Sequence, residues 1–183
     1  PLPFFRIDAI FIRSGEHRDS EPDECAAGKG LPASMKKAKR KPGEKRSQIA
    51  AMPIRHAADG STEILLVTSR TTRRWIVPKG WPMKGLKDRD AAAREAYEEA
   101  GVVGRVSEKP AGRYTYWKRM SDHFALCEVK LYLLEVEKQL DSWAEQHQRD
   151  LHWFKLADAA DLVDEPELST AIRKLDTQLA VAA

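Results

Sequence analysis

Three acidic residues, Glu95, Glu98 and Glu99, stand at i, i+3 and i+4 within the segment Asp88 to Ala100. At about 100° per residue this spacing puts all three carboxylates on one helix face, near its C-terminal end. Like charges so placed repel by about 0.2–0.5 kcal/mol per pair, and anions at a helix C-terminus also oppose the macrodipole. The face therefore calls for a cation. Arg94 can pair with Glu98 at i+4, yet one guanidinium cannot neutralise three carboxylates. A hard divalent cation can, and oxygen-only ligation suits Mg2+ or Mn2+, which bind through carboxylates together with substrate phosphates.

The elements that must hold this face are legible around it. Ile49 to Ile54 and Glu63 to Ser69 read as strands on either side of the turn signal Asp59-Gly60. Trp75 to Val77 is a short strand ended by Pro78. The acidic helix spans Asp88 to Ala100, with Asp88 placed to cap it and Gly101 to stop it at C′. Strands follow around Val106, from Tyr114 to Lys118 and through the apolar run His123 to Val136. A strand from Leu151 to Phe154 precedes helices over Lys155 to Val163 and Pro166 to Val181. Strands before, between and after one central helix, with helices closing the chain, describe an α/β sandwich built on a mixed β-sheet with helices on either side.

Composition bounds what else the chain can be. Its 183 residues suit one domain plus a tail, and that domain is large enough to fold without a metal or disulfide staple. Cys25 and Cys127 lie in unlike contexts, which excludes a disulfide framework and makes a reducing cytoplasm the expected location. No window approaches the ~20 apolar residues a spanning helix needs, so no membrane partner is expected. The net charge of +3 is uneven: residues 1–46 carry 11 basic and 7 acidic side chains. We read residues 1–45 as a disordered basic leader and 46–183 as the folded domain. The run from Lys36 to Arg46 has no interleaved aromatics for base stacking, so it reads as a solvated tail and no specific nucleic-acid partner is expected. The chain opens at Pro1 and its first Met is Met35, which suggests that residues 1–34 are an upstream extension.

Taken whole, Gly80-x5-Leu86-x7-Arg94-Glu95-Ala96-x-Glu98-Glu99-x-Gly101-Val102 closely resembles the Nudix box, G-x5-E-x7-R-E-U-x-E-E-x-G-U with U aliphatic. The departures are Leu86, where that family carries its first Glu, and Ala96, a small aliphatic. The resemblance implies a Nudix-like α/β/α sandwich and a loop–helix–loop whose Glu95, Glu98 and Glu99 bind Mg2+ or Mn2+ and activate water against a diphosphate. It gives Gly80 a backbone carbonyl near the metal. Glu95 and Glu99 become the main metal ligands, Glu98 a base that also binds metal in some members, and Arg94 the residue that orients the carboxylates. Leu86 bears on rate and metal stoichiometry more than on reaction type.

The flanks Arg74-Trp75-Ile76-Val77-Pro78-Lys79-Gly80, a strand ending in Leu140-Asp141-Ser142-Trp143, and Arg149 ahead of Trp153-Phe154-Lys155-Leu156 resemble the diphosphoinositol polyphosphate phosphohydrolase branch. That branch implies a highly phosphorylated small-molecule substrate met by basic residues: Lys79 and Arg149 first, then Arg46, Arg74 and Lys84, with Lys87, Arg89, Lys118 and Arg119 as further candidates. Expected substrates are diphosphoinositol polyphosphates, dinucleoside polyphosphates such as Ap4A, and inorganic polyphosphate. Two other readings stay open. One is a pyrophosphatase of ADP-ribose or an oxidised nucleotide, its base stacked on Tyr116, Trp117 or Trp143; the other is a non-catalytic Nudix sensor, suggested by Leu86 and the basic tail. His123, His147 and His152 show no metal-ligand spacing; Asp122 and His123 are candidates to line a pocket, and His152 reads as structural. Glu99→Gln is expected to reduce turnover by orders of magnitude and, on repulsion alone, to leave thermal stability nearly unchanged or slightly improved.

Overall fold

The computed structural model describes residues 4–6 and 45–182, the side chains of 4–6 and 180–182 excepted. The strands are β1 (Phe4–Arg6), β2 (Arg46–His56), β3 (Thr62–Thr68), β4 (Trp75–Ile76), β5 (Lys79–Gly80), β6 (Val102–Ser107), β7 (Gly112–Arg119), β8 (Phe124–Gln139) and β9 (Leu151–Lys155). The helices are α1 (Asp88–Ala100), α2 (Leu156–Leu162) and α3 (Pro166–Ala182). Beyond Phe4–Arg6, which pairs antiparallel with β6, and Lys45, the expected leader lies outside the described residues, Cys25 included.

One mixed sheet holds all nine strands of the described residues. Its axis is the parallel pair β2 and β8, in register from Arg46 opposite Cys127 to Ile54 opposite Glu135. Every other pairing is antiparallel. The long β8 takes β7 along its first half and β6 along its second. Strand β2 does likewise on its other edge, taking β5 at Ile49 and Ala50 and β3 at Ile54 to His56. The sheet therefore splays, leaving β5 and β7 on the flanks of the first halves of β2 and β8.

Burial on both faces explains why these strands read as continuous apolar runs. Ala50, Met52, Ile54, Ile64, Leu66, Leu131 and Leu133 pack toward Leu156, Leu168 and Ile172 of α2 and α3. Their neighbours Ile49, Ala51, Leu65, Val67, Tyr132 and Leu134 pack toward α1. The α1 face that meets the sheet is Ala91, Ala92, Ala93, Ala96 and Ala100, with no bulky side chain to hold the helix off. That close approach is what brings the neighbouring Glu95 and Glu99 down onto β5.

Several expectations need correction. Asp88 is the first residue of α1, not its cap: Lys87 holds that position with no side-chain capping bond, and Asp88 instead accepts from Lys130 Nζ at 2.7 Å. The β5 pair was not legible, and Leu140 to Trp143 lie past the end of β8 in the loop before β9. Strand and helix ends shift by a few residues, as terminal fraying permits.

Gly101 does stop α1, in the left-handed region at φ 65°, its N–H donating to Tyr97 O at 3.0 Å. A second constraint was invisible in the sequence: a Cβ there would lie 2.4 Å from Trp143 Cε3. Gly101→Ala thus meets both a left-handed backbone, costing about 1 kcal/mol, and an overpacked indole, costing about 1–3. We expect a fall in Tm of roughly 5–15 °C, measurable by thermal denaturation; a drop of a degree or less would show that Trp143 moves aside freely.

Candidate active site

The site is assembled where the C-terminal half of α1 crosses β5 and the loop between β8 and β9. Glu95 stands on the backbone of Gly80, so closely that a Cβ at Gly80 would lie 1.9 Å from its Oε1. Glu99 is buried and takes two donors: the Lys79 backbone N–H donates to Oε2 at 3.1 Å, and Oε1 accepts from Arg149 Nη2 in a buried ion pair, with the Lys79 ammonium adding attraction from nearby. Glu98 is the most open of the three, accepting from Arg94 Nε at 2.7 Å, the i, i+4 pair the spacing anticipates.

A fourth carboxylate, Glu145, completes the group. It comes from the loop between β8 and β9, pinned to the end of α1 by its own N–H, which donates to Glu98 O at 3.1 Å, and by Trp143 packed on Gly101. Arg149 Nε donates to Glu145 Oε2 at 2.8 Å, and Arg70 approaches its other oxygen at 3.6 Å. No local spacing relates Glu145 to the helix, so sequence reasoning had no signal for it.

Burial, and then the charges of Glu99, Glu98 and Glu145, push the Glu95 carboxyl up to about 8. No hydrogen bond or ion pair reaches it from the described residues. Burial also raises Glu99, against the opposing pull of Arg149 and Lys79. Lys79 is pushed down to about 8 by burial, against the pull of Glu99 and Glu165.

A carboxylate with a raised folded pKa keeps a proton that the unfolded chain has already released, here between roughly pH 4.5 and 8. Metal-free stability is therefore expected to fall as pH rises through that window, by at most about 1.4 kcal/mol per pH unit from this group. Glu95→Gln should flatten the slope. Urea titrations in EDTA across the window compare the two proteins, and an identical slope in both would refute the assignment.

The donor set fits a hard divalent cation. Its members are oxygen ligands that include a half-buried carboxylate, Glu95, and a glycine whose missing Cβ leaves that carboxylate against the backbone. As they stand, no three acidic or imidazole side chains among the described residues converge on a common point. Arg149 holds Glu99 and Glu145, and Arg94 holds Glu98.

Beside the carboxylates lies a cationic and aromatic shelf. Trp81 follows Gly80, with the Arg46 guanidinium 5.9 Å and the Lys118 ammonium 4.6 Å from its ring centroid. The Lys79 ammonium lies 5.4 Å from the Tyr116 ring, whose hydroxyl donates to Gln48 Oε1 at 2.6 Å. Trp81 was missed, although an aromatic between Gly80 and the loop lysines was there to be noticed.

Other expected residues lie elsewhere. Arg74 reaches Asp164 at 3.3 Å and Glu165 at 3.2 Å near the junction of α2 and α3, because its strand edge faces that junction and not α1. Lys84 and Lys87 are exposed in the loop before α1, and Arg89 pairs with Asp90 and Glu108. Arg119, Asp122 and His123 are exposed around the turn joining β7 to β8, where Asp122 and His123 bond each other at 2.6 Å. His147 and His152 are exposed, the latter with its ring 4.5 Å from Phe154. Of the expected stacking residues, Trp117 is 64% exposed and Trp143 is held against Gly101; Tyr116 alone stands at the shelf. Leu86 packs with Met83 against the α1 side of the core, so the box position without its Glu serves as an apolar anchor for the loop.

The NUDIX domain family model matches residues 47–175, most of the described chain. The chain belongs to the Nudix hydrolase family and is a pyrophosphohydrolase. It is similar to Nudix hydrolase 18, mitochondrial, of Arabidopsis thaliana, with 32% identity over 124 residues covering 64% of this chain and 68% of that protein. It is also similar to diphosphoinositol polyphosphate phosphohydrolase 2 of Rattus norvegicus, with 36% identity over 100 residues, 53% of this chain and 52% of that one. The Nudix fold is seen again in the binary complex of a C. elegans Ap4A hydrolase, at 24% identity and a TM-score of 0.56, covering 74% of this chain and 98% of that chain. No helix among the described residues is long and apolar enough to cross a membrane.

Proposed function

We propose that this Nudix hydrolase is a divalent-metal-dependent enzyme that cleaves a diphosphate bond in a polyphosphorylated small molecule, a diphosphoinositol polyphosphate or a dinucleoside polyphosphate. The observation that carries the reading is the continuity of Lys79-Gly80-Trp81: Lys79 borders Glu99, Gly80 borders Glu95, and Trp81 carries Arg46 and Lys118 against its ring. Acidic groups for metal and basic groups for phosphate thus meet along three residues. A divalent ion bound to Glu95, Glu98, Glu99 and Glu145 would neutralise phosphate oxygens and acidify a water. Glu98, the most solvent-accessible of the helix carboxylates, takes the water's proton, while Arg94 holds its orientation. Lys79, Arg46 and Lys118 bind the remaining phosphates. The cations at Trp81 favour a phosphate-rich ligand over a base stacked on that ring.

Hydrolysis of diphosphoinositol polyphosphate, Ap4A, ADP-ribose and an oxidised nucleoside triphosphate, each with Mg2+ or Mn2+ and read by chromatographic separation of the products, tests this reading. We expect turnover of the first two to exceed the others by at least about tenfold. Preference for ADP-ribose would transfer the assignment to nucleoside-diphosphate derivatives, and binding without turnover of any would make the domain a sensor. We also propose a cytoplasmic, reducing location, supported by the buried free thiol of Cys127; the Arabidopsis relative above is named as mitochondrial.

A further inference from the structure

We propose that Arg149 is the resident counter-ion of the metal-free site, and that metal binds by taking Glu99 and Glu145 from it. The proposal deepens the reading of these carboxylates as metal ligands and rests on it. Arg149 is placed as a core cation: its side chain is 5% exposed and that of Glu99 8%. Its fork serves three acceptors, with Nη2 on Glu99, Nε on Glu145 at 2.8 Å and Nη1 on Thr68 O at 3.0 Å. Glu99 and Glu145 come from different elements, α1 and the loop before β9, and the guanidinium bridges them.

The buried Glu99 and the half-buried Glu145 would repel without a cation between them. Arg149 supplies it while the ion is away, holding the loop against α1 and keeping the site folded. The same contact opposes metal. An ion that ligates either carboxylate competes with a charge-assisted hydrogen bond already made, so metal affinity is set below what the four carboxylates would otherwise give. Glu95 accepts no hydrogen bond from Arg149, so its ligation breaks no such contact.

The test is binding of Mn2+ alone, followed by the electron paramagnetic resonance of the free ion, to wild type, Arg149→Met and Arg149→Lys at fixed pH. Arg149→Met is expected to have a lower Tm in EDTA, a Kd for Mn2+ at least about tenfold tighter, and a larger metal-induced rise in Tm. Arg149→Lys, which keeps a cation, should return the Kd toward wild type. A second measurement needs no variant: in wild type, the Arg149 Hε should be protected from solvent exchange by NMR without metal and lose that protection when Mg2+ is added. A folded Arg149→Met with equal or weaker Mn2+ affinity, or a protected Hε at saturating Mg2+, overturns the exchange. Absence of Mn2+ binding to wild type and variants alike defeats the metal-site reading itself and the proposal with it.

Discussion

Glu99→Gln is expected to lower kcat by about 10³-fold, equivalent to ~4 kcal/mol of transition-state stabilisation, and also to destabilise the metal-free protein. The first effect follows from charge. Gln offers a neutral oxygen where a divalent ion requires an anionic one, and Glu95 and Glu98 cannot move into its place because α1 fixes them. The second effect reverses what repulsion alone implies. Considered on the helix, Glu99 is one of three mutually repelling anions, and neutralising it should relieve the strain. In the folded protein its partner is the buried guanidinium of Arg149, and its other oxygen takes the Lys79 backbone N–H. Removing one charge from a buried pair leaves the other poorly compensated; Glu145 shares part of that burden, so we expect a loss of about 1–3 kcal/mol. Steady-state kinetics on the preferred substrate and urea denaturation in EDTA measure the two effects separately. Wild-type kcat would remove Glu99 from the catalytic group, and an unchanged midpoint would show that Glu145 alone satisfies Arg149.

Gly80→Ala is expected to separate activity from stability in the opposite sense. The added Cβ would overlap Glu95 Oε1 at 1.9 Å, its Cδ at 2.1 Å and its Oε2 at 2.5 Å. All three atoms belong to the end of a flexible side chain, so the fold can yield by swinging Glu95 away, and Gly80 is not among the positive-φ glycines. We expect kcat/KM to fall by about 10²-fold or more, since displacement of a positioning group by an ångström is costly in a preorganised site. The Tm should change by no more than about 3 °C. Mn2+ binding should weaken in parallel, which distinguishes displacement of Glu95 from a steric block to substrate. Near-normal kcat/KM in a folded Gly80→Ala protein would show that the position of Glu95 over β5 is not needed.

These outcomes divide according to how far apart along the chain the interacting residues lie. The helix, its acidic face, the Arg94–Glu98 pair and the stop at Gly101 all follow from interactions within five residues, whose geometry the 3.6-residue period sets in advance. The two-faced burial of the sheet was likewise readable as continuous apolar runs, although the period alone could not say which strands would be neighbours. Glu145, by contrast, reaches the site through a loop following a 16-residue strand, and its position depends on Trp143 packing against Gly101.

Arg149 illustrates the same limit. Flanking resemblance marked it as a residue of the site, yet whether it would face a phosphate or lie beneath the carboxylates depends on the depth of the loop. Arg74 was marked by the same resemblance and faces another junction altogether. Sequence by itself determined the family, the α/β sandwich and the helical stripe of carboxylates, because each is written in local periodicity or in a spaced motif. Tertiary structure alone decided which cation meets that stripe, which distant carboxylate joins it and which bases form the shelf at Trp81. Electrostatic partners in a core are chosen by proximity and dielectric, and both exist only once distant segments have packed.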